Sequence, residues 1–196
     1  MPVVLASASP ARLQTLRNAG LAPEVVVSGV DESTVKVTTP ADYTLKLAQL
    51  KAVAVAADQK RAIVIGCDSV LALDGQILGK PASEDEAIAR WEQMRGRAGV
   101  LHTGHCVIDT HREVWLSRGA ATQVRFAHVS DEEIEAYVAT GEPSAVAGAF
   151  TLDGLGGAFV SGVTGDPHNV VGISLPLLRL MLEELGFVWT EFWPSN

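Results

Sequence analysis

Only two cysteines, Cys67 and Cys106, occur in the 196 residues. Each lies inside an apolar stretch, and neither has metal-ligand company at a recognised spacing, so both read as reduced and mostly buried core residues. No block of lysine or arginine is present, and the formal net charge is −8. A sequence-independent grip on a DNA or RNA backbone needs many cationic contacts and is therefore not expected. Any anionic ligand must be held by a few placed cations. No apolar run reaches the length needed to span a bilayer, and the start of the chain lacks the basic region and apolar core of a signal segment. The expectation is a cytosolic protein with no membrane partner. Neither a repeat, a low-complexity tract nor a polar linker divides the sequence. With 47% apolar residues and alternating element types, residues 1–196 read as one α/β domain, large enough to be built as two lobes.

What is present begins at the first helix. The apolar run Val3-Val4-Leu5 leads to Ser7-Ala8-Ser9, followed by Pro10 and Arg12. Ser9 reads as the N-cap, Pro10 as the first helical residue and Gly20 as the residue just past the end, which predicts a helix over Pro10 to Ala19. A capping box would place Glu or Gln third in that helix, yet Arg12 stands there, against the positive end of the helix dipole. Backbone N–H groups, two hydroxyls and a guanidinium together make a cradle for phosphate. The plainer reading is an ordinary capped helix with a solvent-facing arginine. Two other helix starts, Ser83-Glu84-Asp85-Glu86 and Ser130-Asp131-Glu132-Glu133, carry the expected acids and read as capping boxes, which sharpens the contrast at Arg12.

A second strand is predicted over Glu24 to Ser28 and a long helix over about Pro40 to Ala57. On that helix Lys51 has Leu47, Ala48, Ala54 and Val55 as neighbours. Read alone, this favours a lysine snorkelling at the core edge over one paired with an anion in a cleft. Ala62 to Gly66 reads as a strand covered on both faces, delivering Cys67, Asp68 and Ser69 at its end, where an acid is unexpected for packing. A hairpin around Asp74-Gly75 follows and ends in Gly79-Lys80-Pro81, so Lys80 is fixed between a permissive and a rigid residue.

Residues 100 to 129 read as antiparallel strands turning near Asp109-Thr110-His111. The glycine-rich stretch Ala149 to Val163 reads as strands crossing a tight bend beside a site. A final helix runs from Ser174-Leu175-Pro176 to about Leu185. Phe187, Trp189, Phe192 and Trp193 are expected across the core or a subunit contact. His102 and His105 lie in a strand and read as structural.

Together these features supply Ser7, Ser9, Arg12, Lys51 and Lys80 as phosphate holders, with Glu32 and Asp68 as the acids. Leu5-Ala6-Ser7-Ala8-Ser9-Pro10-Ala11-Arg12, Gly66-Cys67-Asp68-Ser69-Val70, Gly79-Lys80-Pro81, Thr103-Gly104 and Val171-Gly172 closely resemble the Maf family, almost end to end. Phe150-Thr151-Leu152-Asp153-Gly154-Leu155-Gly156-Gly157 and Ser174-Leu175-Pro176-Leu177-Leu178 look like its actinobacterial branch. The resemblance implies a mixed twisted sheet with helices in two lobes around a central cleft, the fold shared with inosine triphosphate pyrophosphatases. It also implies cleavage of a nucleoside triphosphate to its monophosphate and pyrophosphate with Mg²⁺ or Mn²⁺, limiting non-ordinary nucleotides or nucleotide pools. By the same resemblance Asp68 accepts a proton from the attacking water, Glu32 and Asp68 hold the metal, Lys51 and Lys80 line the cleft, and the subunit is free to pair as a homodimer.

The chain departs from the family pattern in places. Ala11 stands before a single Arg12 where many members have two arginines. Ser69 and Asp153 match neither the Thr and Gln of the branch acting on dTTP and UTP nor the Gln and Glu of the branch acting on 7-methyl-GTP, so base preference does not transfer. The competing class is a non-catalytic nucleotide sensor linked to division arrest, against which the retained Asp68 argues.

Overall fold

The apolar runs Val3-Val4-Leu5 and Ile63-Val64-Ile65 lie in strands, and the periodic stretches with a Ser or Thr cap become helices. In the computed structural model, which describes residues 1–194, the chain runs β1 (Val3–Leu5), α1 (Pro10–Asn18), β2 (Glu24–Val25), α2 (Pro40–Ala56), β3 (Ile63–Leu73), β4 (Gln76–Leu78), α3 (Glu84–Met94), β5 (Ala98–Asp109), β6 (Val114–Phe126), α4 (Asp131–Ala139), β7 (Val160–Thr164), α5 (Pro167–Val171) and α6 (Leu175–Glu184). Seven strands among the described residues form one mixed sheet in the order β2-β1-β3-β5-β6-β7, with β4 paired to β3. β1 is parallel to β2 and β3, whereas the β3–β4 and β6–β7 pairs are antiparallel. The expected mixed α/β sheet is present. The chain divides into two compact units, the first comprising Met1–Asp68, Thr103–Ala120 and the chain from Gly172 onward, the second Ser69–His102 and Ala121–Val171.

In the first unit, alternate residues of the central strands feed two cores. Leu5, Ile63, Ile65 and Val107 pack with Leu16 of α1 and Leu178, Met181 and Leu182 of α6. Val4, Val64 and Cys106 pack with Ala48, Ala52 and Val55 of α2. Burial on both faces explains why these strands read as unbroken apolar runs rather than as alternating ones. Cys67 and Cys106 are both unpaired and buried, as expected. Two glycines set how closely α2 lies on the sheet. A Cβ at Gly66 would stand 2.3 Å from the Ala48 carbonyl oxygen, and one at Gly104 would stand 2.3 Å from that of Thr44. Only glycine leaves room for this approach.

The second unit is organised by Trp91 of α3, which is fully buried. Its ring meets Phe126, Tyr137 and Phe159 edge-on at centroid distances of 5.7, 5.5 and 5.8 Å. Its indole N–H donates to the Ala149 carbonyl at 2.7 Å, so the one polar atom of the ring is satisfied. Asp74 and Gly75 both take positive φ, 49° and 79°, giving the β3–β4 hairpin a turn whose twist matches its strands.

Several boundaries differ from expectation. β3 does not stop at Gly66 but runs on to Leu73, so Asp68 lies within a strand and not at its end; β3 lies between β1 and β5 in the sheet and pairs with β4 from Leu71 to Leu73. β2 is two residues long: the Val26 N–H still donates to the Leu5 carbonyl at 3.1 Å, but β1 ends at Leu5. The box at α3 is half formed. Ser83 Oγ accepts from the Glu86 N–H, but the Glu86 carboxylate turns to the Ala82 N–H at 2.6 Å and to Arg90. At α4 both halves of the Ser130–Glu133 box are made.

The glycine-rich stretch is not two strands at a bend: it contains the 3₁₀ turn Leu155–Phe159 and then β7. Its glycines answer a different need, since a Cβ at Gly154 would meet the Glu142 carboxylate and one at Gly156 the Tyr137 hydroxyl. Phe187, Trp189 and Phe192 pack against the first unit's core, and the Trp193 indole donates to the Ala19 carbonyl at 3.0 Å. No helix among the described residues is long and apolar enough to cross a membrane.

Candidate functional site

Lys51 and Asp68 meet because α2 lies on β3 at the closeness that Gly66 permits. The Lys51 ammonium stands 2.6 Å from Asp68 Oδ1 and 2.7 Å from Glu32 Oε1. The first two side chains are each 12% exposed, whereas Glu32 is 51% exposed. Glu32 opens the 3₁₀ turn Glu32–Thr34, which is capped by Asp31 accepting from the Ser33 N–H at 3.0 Å. Lys51 is therefore paired, not snorkelling. The apolar neighbours that favoured snorkelling say nothing of the ammonium, which has two carboxylates to reach.

Burial pushes the Asp68 carboxyl above its ordinary value, although the positive charges of Lys51 and Arg12 pull the other way. Burial also works against the charge of Lys51, but attraction to Asp68 and the bonds to both carboxylates outweigh it and leave its pKa raised. A carboxylate held in this way accepts a proton more readily than one in water.

At the start of α1 the capping reading is met. Ser9 takes an extended conformation and its Oγ accepts from the Arg12 N–H at 3.4 Å. α1 ends one residue earlier than expected, at Asn18, with Gly20 at φ +88° beyond it. Arg12 does not face solvent: it is 9% exposed. Its Nε donates to the Gly172 carbonyl at 2.8 Å and Nη1 donates to Ser7 Oγ at 3.0 Å. Ser7 Oγ also accepts from the Ser9 N–H at 3.2 Å. Both hydroxyls are thus engaged as acceptors, and each keeps an O–H to donate. Gly172 has φ +120°, and a Cβ there would stand 3.1 Å from Arg12 Nε, which accounts for glycine at this place in Val171-Gly172.

Lys80 belongs to the second unit, where it is exposed. Arg90 fixes the backbone around it, donating to the Gly79 carbonyl at 2.5 Å and to that of Lys80 at 3.4 Å. The first unit therefore brings together Lys51, Asp68 and Glu32 as one cluster and Ser7, Ser9 and Arg12 as another, with Arg12's charge acting on Asp68.

One residue escaped the sequence reading. Tyr43 stands two turns before Lys51 on α2, and burial together with the charges of Asp68 and Glu32 raises its pKa. Its position eight residues from Lys51 on the same helix face was the available signal. His105 is fully buried, and its Nε2 accepts from the Ser174 N–H at 2.8 Å, tying β5 to the start of α6. That is the structural role expected of it.

Two hard carboxylate oxygens sharing one cation suit Mg²⁺ or Mn²⁺, and the Lys51 ammonium is the cation standing between them. No group of three His, Cys, Asp or Glu side chains placed to hold a metal gathers among the described residues. Such a site fits a metal whose remaining ligands come from water and substrate phosphates.

Similar proteins match this chain over nearly its whole length. A relative from Streptomyces coelicolor called nucleoside triphosphate pyrophosphatase is 61% identical over 193 residues, covering 97% of this chain and 94% of the relative. Relatives with the same name from Salinispora tropica and Trichormus variabilis are 58% and 52% identical, each covering 97% of this chain and 87% and 96% of their own lengths. A solved structure of the Staphylococcus aureus Ham1 protein is similar over 65% of this chain and 73% of that one, at TM-score 0.44 and 16% identity, too loose a likeness to carry an argument. A family model described as Maf-like protein matches residues 2–185, and the chain belongs to the Maf family.

Proposed function

We propose that this chain is a nucleoside triphosphate pyrophosphatase, hydrolysing the α–β phosphoanhydride to give the nucleoside monophosphate and pyrophosphate. Its full-length relatives bear that name, and the chemistry of the site is suited to it. The observation that carries the reading is Asp68: a nearly buried carboxylate, with its pKa raised, beside a lysine and within the field of Arg12.

In this reading Asp68 orients a water toward the α-phosphorus and takes its proton, the role its raised pKa favours. Arg12, Lys51 and Lys80 offset the charge that develops on the departing pyrophosphate, and Ser7 and Ser9 donate their O–H groups to phosphate oxygens. Glu32 and Asp68 are the residues that would hold Mg²⁺ or Mn²⁺, which when bound neutralises the triphosphate and polarises it. The proposed setting is the cytosol, with the chain acting as one domain, alone or paired with a second copy. Incubating the pure protein with a panel of ordinary and modified triphosphates and Mn²⁺, then assaying pyrophosphate, tests the proposal. Release of pyrophosphate is expected. Binding of a triphosphate without release would favour the non-catalytic sensor instead.

A further inference from the structure

A single ammonium ion bridges the two carboxylates that would receive the metal. Lys51 Nζ stands 2.6 and 2.7 Å from one oxygen of Asp68 and one of Glu32, and its side chain is 12% exposed. Two carboxylate oxygens facing one positive centre are part of the oxygen set that a divalent cation takes, here gathered around an ammonium instead. A metal ion and the ammonium cannot occupy that place together, because like charges at contact distance repel strongly where water is scarce.

We infer that Lys51 is a built-in occupant of the metal site: it holds Glu32 and Asp68 together in the resting enzyme and keeps a lone divalent cation out until a triphosphate arrives. This rests on the metal reading given above and adds an order of events to it. Without substrate, displacing Lys51 would leave its charge close to the incoming ion with no partner. With a triphosphate present, the phosphate oxygens accept the displaced ammonium and complete the coordination of the ion. The same lysine thus serves first as a placeholder and then as a phosphate ligand, and Lys51 acts on the metal as a positioning residue. Replacing it should tighten metal binding even while it harms turnover, an effect opposite to that of removing an ordinary site residue.

The test is titration of the nucleotide-free protein with Mn²⁺ alone at pH 8, followed by the electron paramagnetic resonance of the unbound ion. The wild type is compared with Lys51→Met and Lys51→Arg, and with the wild type in a non-hydrolysable triphosphate analogue. Lys51→Met should bind Mn²⁺ roughly tenfold tighter or more than the wild type, since it removes a neighbouring charge. Lys51→Arg should stay near the wild type, and the analogue should restore tight binding to the wild type. Lys51→Gln serves the same comparison where the Met variant does not fold. Affinity of the neutral variants equal to or below that of the wild type, with the wild type still binding Mn²⁺ when the analogue is present, would overturn the placeholder alone. Absence of Mn²⁺ binding in every sample, with or without the analogue, would overturn the metal reading and the inference together.

Discussion

Two partly buried acids, one in each unit, are handled in opposite ways. In the second unit Glu142 accepts from the Tyr137 hydroxyl at 2.9 Å, from the N–H groups of Leu155 and Gly156 at 3.1 Å each, and from the Thr151 hydroxyl. Burial acts against its charge, but those donors outweigh it, and its pKa falls below the ordinary 4.5. In the first unit Asp68 is buried more deeply, has Lys51 as its bonded partner, and its pKa rises. The difference teaches how to read an acid in this fold. A carboxylate surrounded by donors is spent on holding a loop, whereas one left short of donors beside a cation stays available for proton transfer.

Mutation of both acids sharpens the contrast. Asp68→Asn should lose about 10²- to 10⁴-fold in kcat with the fold intact, measured by pyrophosphate release alongside circular dichroism; full turnover would end its assignment as base. The aromatic centre of the second unit supplies the structural counterweight. Trp91→Ala should cost about 3–5 kcal/mol of stability in denaturant titration, by emptying a space that three rings close upon.

Glu142→Gln should destabilise by about 1–3 kcal/mol, since backbone and hydroxyl donors lose a charged acceptor. The sign with pH follows from its lowered pKa: Glu142 contributes stability above its ordinary 4.5, and that contribution is lost as pH falls through the lower folded value. The wild type and Glu142→Gln should therefore converge in melting temperature on acidification below 4.5. A gap that widens there would contradict the assignment. Smallest is Lys51→Ala, expected to raise KM and lower kcat together by a modest factor. Unchanged values of both would reduce Lys51 to packing.

Much of this was legible in the sequence because local chemistry decided it. The Ser9 and Pro10 start of α1, the Asp74-Gly75 turn and the Ser130 box each follow from residues within four positions of one another. The partners of Lys51 were not legible, because its helical neighbours are apolar and its carboxylates come from residues 19 positions before and 17 after it. The length of β3 was missed because Gly66 reads as a stop, whereas the strand, lying between β1 and β5 in the sheet, continues through it to Leu73. The glycine-rich stretch misled because its glycines make room for Glu142 and Tyr137, which no periodicity reveals. The candidate residues came from local pattern and resemblance, while which of them meet one another required the folded chain.

In the proposed reaction Asp68 directs water to the α-phosphorus of a triphosphate. Hydrolysis in ¹⁸O-labelled water, with mass analysis of both products, tests it most directly. One ¹⁸O is expected in the nucleoside monophosphate and none in the pyrophosphate, with loss of the labelled product in Asp68→Asn. Label in the pyrophosphate, or release of orthophosphate in its place, would contradict it.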